Sequence, residues 1–214
     1  MKIGIIGSGL VSKALAKGFR KYKYEVMVGS RDLGKISSWK DEIDANLKIG
    51  DFNQTANFGD LIVLAVKGSA AEDALKLVDA DNIKGKTIID ANNPIDNVAP
   101  VNGVLKFYTD MNYSLMEQLQ SGYPQANFVK AFSCVGNAFM VNPKFGAEKP
   151  TMFICGNNAS AKMQVIEILD QFGWEIEDMG QVEAARAIEP LCMLWCIPGL
   201  RENRWTHAFR LLKL

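Results

Sequence analysis

Residues 1–31 read as a strand, a glycine turn, a helix and a second strand, and no other stretch of the chain restricts the fold as strongly. Lys2 to Ile6 is a short apolar run with β-branched residues, the pattern of a buried strand. Gly7-Ser8-Gly9 turns the chain. Leu10 to Tyr22 follows with Leu10, Ala14, Leu15 and Phe19 at helical spacing and Lys or Arg between them. Glu25 to Val28 reads as the second strand. This order is the first half of a dinucleotide-binding unit.

Each residue type in the turn has a physical role. Gly7 permits a bend that a side chain would obstruct. Gly9 lets the backbone come close to a pyrophosphate. The N–H groups of Ser8, Gly9, Leu10 and Val11 point from a helix N-terminus toward such an anion. Ser12 stands where a third glycine is usual, and its small side chain still allows close helix–strand packing.

The end of the second strand selects between cofactors. A site for the unphosphorylated dinucleotide places Asp or Glu there to hold the ribose hydroxyls. This chain has Gly29-Ser30-Arg31, with Lys35 one helical turn further on. A carboxylate would repel a 2′-phosphate, whereas Ser30 donates a hydrogen bond to it and Arg31 clamps it or stacks on the adenine. The adjacent Asp32 is the counter-indication, unless its side chain caps the next helix. The expected cofactor is therefore NADP.

The remaining chain alternates strands and helices. Helices are expected over Asp32 to Asn46, Ala70 to Val78 (capped by Ser69), Ser114 to Ser121, Ser160 to Phe172 (capped by Asn158) and Gln181 to Trp195. Pro190 should kink the last of these and Pro198-Gly199 should break it, with Asn203 to Leu214 a possible final helix. Strands are expected over Leu47 to Gly50, Leu61 to Val66, Thr87 to Asp90, Phe128 to Phe132, Thr151 to Cys155 and Trp174 to Met179. Asp51 to Asn57 reads as a polar connection and Asn97 to Thr109 as irregular. The pattern predicts an α/β fold: a Rossmann-type, doubly wound, mostly parallel sheet over residues 1–180, with a short C-terminal helical segment over 181–214. Ligands of such sheets bind outside the carboxyl ends of the strands, here Gly7–Val11, Ser30–Arg31, Val66–Lys67 and Asn92–Pro94. The apolar C-terminal segment has to be covered by its own sheet or by a second copy, and a homodimer is expected.

Composition narrows the partners. The 214 residues carry 24 Lys+Arg and 24 Asp+Glu, and zero formal charge argues against nucleic acid or an anionic membrane surface. No apolar run approaches the roughly 20 residues of a membrane helix. No basic–apolar–small leader precedes the first strand, so a cytoplasmic protein is expected. Cys134, Cys155, Cys192 and Cys196 lie among apolar neighbours and read as reduced, buried thiols, with disulfide and zinc readings as the alternatives.

Proton donors are scarce. The single histidine, His207, lies between Trp205 and Phe209, where packing is expected. Lys67 and Lys130 fall near strand ends, with no sequence neighbour marked to tune them. Hydride transfer to a flat ring needs mainly binding, orientation and exclusion of water, and suits this set.

The segments GIIGSGLVSKALAKGF, VGSR, LAVKGSA, DANNP, VKAFSCVGNAFM and IEPLCMLW together resemble the NADP-dependent reductases of the coenzyme deazaflavin, and are similar to the reductase domain of the STEAP metalloreductases. The resemblance implies a Rossmann domain whose Ser8 to Val11 hold the pyrophosphate and whose Ser30, Arg31 and Lys35 hold the 2′-phosphate. It implies that Val66 and Lys67 border the nicotinamide half, that Asn92 and Pro94 line the crevice, and that Asn137 meets the nicotinamide amide through its backbone. Residues 97 to 125 differ in character from the family, which leaves deazaflavin, flavin, quinone or another small acceptor open. A redox-sensing module without turnover, or an imine or hydroxyacid reductase with a lysine acid, are the competing readings.

Overall fold

Short β-branched runs, buried on both faces, line up as one parallel sheet. In the computed structural model, which describes residues 1–213, six strands run in the order β3-β2-β1-β4-β5-β6. They are β1 (Lys2–Ile6), β2 (Glu25–Gly29), β3 (Lys48–Gly50), β4 (Leu61–Leu64), β5 (Thr87–Asp90) and β6 (Asn127–Lys130). Ile3, Ile5, Leu61, Val63, Ile88 and Ile89 are fully buried, as a sheet covered on both faces requires. One face is covered by α1 (Leu10–Lys21), α2 (Leu33–Lys40) and α6 (Ala159–Gln171), through Leu15, Phe19, Ile36 and Ile168. The other is covered by α3 (Phe52–Phe58), α4 (Ala71–Lys76) and α5 (Leu115–Gly122), through Phe52, Leu75 and Leu119. Strand order reverses at β1, which pairs with both β2 and β4, so the crevice of a doubly wound sheet opens above it.

Several expectations are corrected. The helix after Asp32 ends at Lys40, because the Asp44 side chain accepts the Asn46 N–H (2.8 Å) and the Arg20 guanidinium (2.8 Å) instead of joining a helix face. Residues 51–58 are not a polar connection: Asp51 and Gln54 form a reciprocal capping box that starts α3. Ser69 does not cap α4. It lies in a 3-10 turn, Gly68–Ala70, and the cap position is Ala70 with no side-chain bond. The last two strands, β7 (Thr151–Ile154) and β8 (Glu175–Asp178), form their own parallel pair, joined to the main sheet by a Lys130–Cys155 bridge.

The C-terminal segment departs furthest. Helix α7 (Ala185–Glu202) runs through both Pro190 and Pro198 and ends at Asn203, whose φ of 55° is left-handed. Its buried residues Ile188, Cys192 and Trp195 hold it to the body against the two missing N–H donors. The tail beyond Asn203 is not helical over the described residues; Leu214 lies outside them. It folds back instead. Trp205 packs on Gly199, where a Cβ would come within 2.2 Å of its ring. His207 stacks on Trp195 at 5.0 Å, the packing role expected of it. The Thr151 N–H donates to the Phe209 carbonyl (2.9 Å). All four cysteines are free thiols.

Candidate functional site

The carboxyl ends of β1, β2, β4 and β5 open into a crevice of about 830 Å³. The turn after β1 forms its centre. Gly7 has φ 133°, and a Cβ on it would lie 2.1 Å from the Ala65 carbonyl and 2.8 Å from Ser12 Oγ. Ser12, in the third-glycine position, is fully buried and donates to that same carbonyl at 3.1 Å, so its hydroxyl ties α1 to the end of β4. Gly9 differs: it is extended, exposed, and has nothing within 4 Å of where a Cβ would be. The wall formed by Gly7, Ser8, Gly9, Leu10 and Val11 thus presents the start of α1 to open space of the size a dinucleotide needs.

The second strand contributes one end. Register pairs Ile6 with Gly29, which brings Ser8 beside Ser30. Ser30 Oγ donates to Ser8 Oγ at 3.1 Å and accepts the Asp32 N–H at 3.1 Å. Arg31 and Lys35 line the crevice and are exposed. Neither belongs to any ion pair among the described residues. Asp32 also reaches the crevice, but its carboxylate accepts the Gly34 N–H at 3.0 Å and serves as the N-cap of α2.

The opposite end is formed by β4, β5 and the turn after β6. Val66, Lys67 and Asn137 line it, together with Ala65, Ala70 and Ala91. Phe52 and Ala74 complete the wall; neither was anticipated, although the capping box at Asp51 was a local signal for the first. Asn92 and Pro94 do not line the crevice. Both are buried. Asn92 acts from behind: its Oδ1 accepts the Val66 N–H at 3.0 Å, and its amide donates to Asp90 Oδ1 at 2.9 Å. The Pro94 carbonyl accepts the Tyr108 N–H at 3.0 Å, fastening the segment after it.

Lys130 is the largest correction. It is fully buried and strongly partnered, 2.6 Å from Asp90 Oδ2 and 2.8 Å from Glu189 Oε1. Burial alone would lower its pKa, but the Asp90 and Glu189 charges outweigh burial and hold it above the ordinary lysine value. A lysine so enclosed cannot reach a substrate. Nearby, burial, then the charges of Glu189 and Asp90, push the Tyr108 phenol up to about 12.

Residues 2–94 match the family described as NADP oxidoreductase, coenzyme F420-dependent. Metalloreductase STEAP3 of Rattus norvegicus is 29% identical over 205 residues, covering 93% of this chain and 38% of its own length. Metalloreductase STEAP2 of Homo sapiens is 28% identical over 191 residues, covering 88% of this chain and 35% of its own. This chain therefore spans well under half the length of the curated relatives it matches. Among solved structures, a candidate F420-dependent NADP-reductase from Arthrobacter sp. FB24 superposes with a TM-score of 0.93 at 27% identity over the whole of both chains. An imine reductase from Myxococcus stipitatus, at 15% identity and a TM-score of 0.65 over 90% of this chain and 60% of its own, shares the fold. No helix among the described residues is long and apolar enough to cross a membrane. The chain is thus similar to the coenzyme F420-dependent NADP oxidoreductases over residues 2–94 and to the STEAP metalloreductases over most of its length.

Proposed function

We propose that the crevice binds NADP(H) and that the protein transfers hydride between its nicotinamide and a deazaflavin, a flavin-like ring or another small planar acceptor. The observation that carries this reading is the adenosine end: Ser30, Arg31 and Lys35 stand together on one wall, and the one carboxylate beside them, Asp32, is engaged as a helix cap. When bound, NADPH supplies the hydride. The protein's part is to hold it, with Ser8 to Val11 on the pyrophosphate, Ser30, Arg31 and Lys35 on the 2′-phosphate, and Val66, Lys67 and Asn137 along the nicotinamide half. Relatives named as F420-dependent reductases and metalloreductases support a ring-to-ring or ring-to-metal electron path over acid–base chemistry. The enclosure of Lys130 argues further against a reductase that uses it as the acid.

The proposal includes a homodimer, for which Leu194 and Leu200 of α7 and Val101 leave apolar surface exposed, on segments that meet where Gly103 faces Arg201. It also includes a cytoplasmic location, which four free thiols suit. The test is calorimetric titration of Arg31→Ala. Losing one charge-assisted phosphate contact should weaken NADPH by about 1.5–3 kcal/mol, roughly ten- to a hundredfold, and leave NADH nearly unchanged. Equal weakening of both would remove the 2′-phosphate assignment. Oxidation of bound NADPH by a panel of deazaflavin, flavin and quinone acceptors then separates an enzyme from a redox-sensing module.

A further inference from the structure

Three charged side chains meet inside the protein where β5, β6 and α7 come together. Lys130 Nζ faces Asp90 and Glu189 at 2.6 and 2.8 Å and donates to the Asn92 carbonyl at 3.0 Å. The remaining hydrogen bonds of both carboxylates also come from donors. Asp90 Oδ1 accepts the Asn92 N–H (3.0 Å) and its side-chain amide (2.9 Å). Glu189 accepts the Leu115 and Met116 N–H groups at 3.0 Å each. Oxygens faced by donors in this way suit ionised carboxylates. Two anions and one cation leave one net negative charge, in an interior that screens charge poorly. The start of α5 offsets part of that charge through the Leu115 and Met116 N–H groups, and the remainder calls for a reason.

Its position supplies one. Asp90 is followed by Ala91, which lines the crevice, and Asn92 links the Asp90 carboxylate to the N–H of Val66, also on the wall. With the pyrophosphate at Gly7–Val11 and the adenosine over β2, the nicotinamide half lies over β4 and β5, next to this cluster. The nicotinamide is the one part of the cofactor whose charge differs between its two forms: positive when oxidised, neutral when reduced. We propose that the Asp90–Lys130–Glu189 cluster favours the oxidised ring and so makes bound NADPH a stronger hydride donor than free NADPH. The electron pair leaves with the hydride for the acceptor, the ring becomes the cation, and the cluster itself gains and loses nothing. Arg31 and Lys35 face phosphate present in both forms, so their effect cancels. Lys67, on the same wall, opposes the cluster but is exposed, and water and salt screen it.

This inference rests on the NADP(H) reading, and a binding experiment separates the two. One unbalanced charge about 10 Å from the ring, at an effective dielectric of about 20, corresponds to roughly a tenfold preference. Calorimetric titration of the unmodified protein should show NADP⁺ binding at least as tightly as NADPH. Glu189→Gln and Asp90→Asn should each weaken NADP⁺ relative to NADPH by about tenfold. Structural damage alone would weaken both forms alike, and an unchanged ratio in folded variants would overturn the proposal. A native protein that binds NADPH more tightly than NADP⁺ would overturn it with no variant needed. Binding of neither form would instead refute the cofactor reading.

Discussion

Two glycines two residues apart should respond to the same substitution in opposite ways. At Gly7 the φ of 133° is one that alanine rarely adopts, at a cost of about 1–3 kcal/mol. A Cβ there would also sit 2.1 Å from the Ala65 carbonyl, which cannot yield freely because the Ala65 N–H is itself bonded to Ile6 O at 2.8 Å. Overpacking of that kind costs about 1–3 kcal/mol more. Gly7→Ala should therefore lose about 4 kcal/mol, or roughly 8–16 °C in Tm for a chain of this size. At Gly9 the backbone is ordinary extended (φ −83°, ψ −174°) and the Cβ meets open space. Gly9→Ala should stay within about 1 kcal/mol of the native stability. Its new methyl would occupy the space assigned to the pyrophosphate, so NADPH should bind at least about tenfold more weakly. Thermal melts with and without NADPH read both effects in one assay. A Gly9→Ala protein that keeps native affinity would refute the placement of the pyrophosphate, and an unshifted Tm for Gly7→Ala would refute the account of the turn.

Other consequences are quicker to check. Lys23 is exposed with φ 64° just after α1, so Lys23→Gly should gain about 1 kcal/mol and raise Tm by roughly 2–4 °C; a loss of stability would contradict that backbone conformation. Burial pushes the Cys134 and Cys155 thiols up to about 12, and the hydrogen bond that Cys192 donates to Cys196, then burial, raises Cys192, while that same bond lowers half-buried Cys196. An aryl disulfide reagent at mild alkaline pH should therefore titrate about one thiol in the native protein and all 4 after denaturation. The Tyr108 phenol is raised from 10.0 to about 12, so the folded state holds its proton more firmly than the unfolded chain does. That contribution is full below about pH 10 and is lost as pH rises toward 12, and Tyr108→Phe should flatten this part of the alkaline fall in Tm.

What could be read before the structure was known follows from distance along the chain. The β1–turn–α1–β2 unit is local, and its apolar period and glycines sit within 31 residues. Once β1 and β2 are read as adjacent parallel strands, the Ile6–Gly29 register brings Ser8 and Ser30 together with no further information. Helix α3 is faint in the sequence because Phe52, Ala56 and Phe58 make too sparse an apolar pattern, although its capping box is written in Asp51 and Gln54. The proline rule failed at α7 because packing of Ile188, Cys192 and Trp195 outweighs two missing donors. The tail failed for a related reason: its partners, Gly199 and Thr151, are contacts that no periodicity encodes. Lys130 and Glu189 are 59 residues apart in sequence and 2.8 Å apart in space, so a lysine in an apolar run gave no sign of its partner.

The same reasoning explains why the two ends of the crevice differ in how far they can be interpreted. The end proposed for the adenosine is made by two consecutive stretches, residues 7–11 and 30–35, and both fall within the 2–94 region that matches the family model. The other end gathers Val66, Lys67, Ala91 and Asn137 from separate strands, and its wall is braced from behind by Asn92, Lys130 and Glu189. Asn137, Lys130, Glu189 and the irregular segment fastened to Pro94 through Tyr108 all lie beyond residue 94. In the proposed reading the acceptor meets the nicotinamide at that end of the crevice, away from Ser30, Arg31 and Lys35. On that reading, acceptor choice then falls to the part of the chain beyond residue 94. Exchanging residues 97–111 should change which acceptor is reduced while leaving the preference for NADPH over NADH intact.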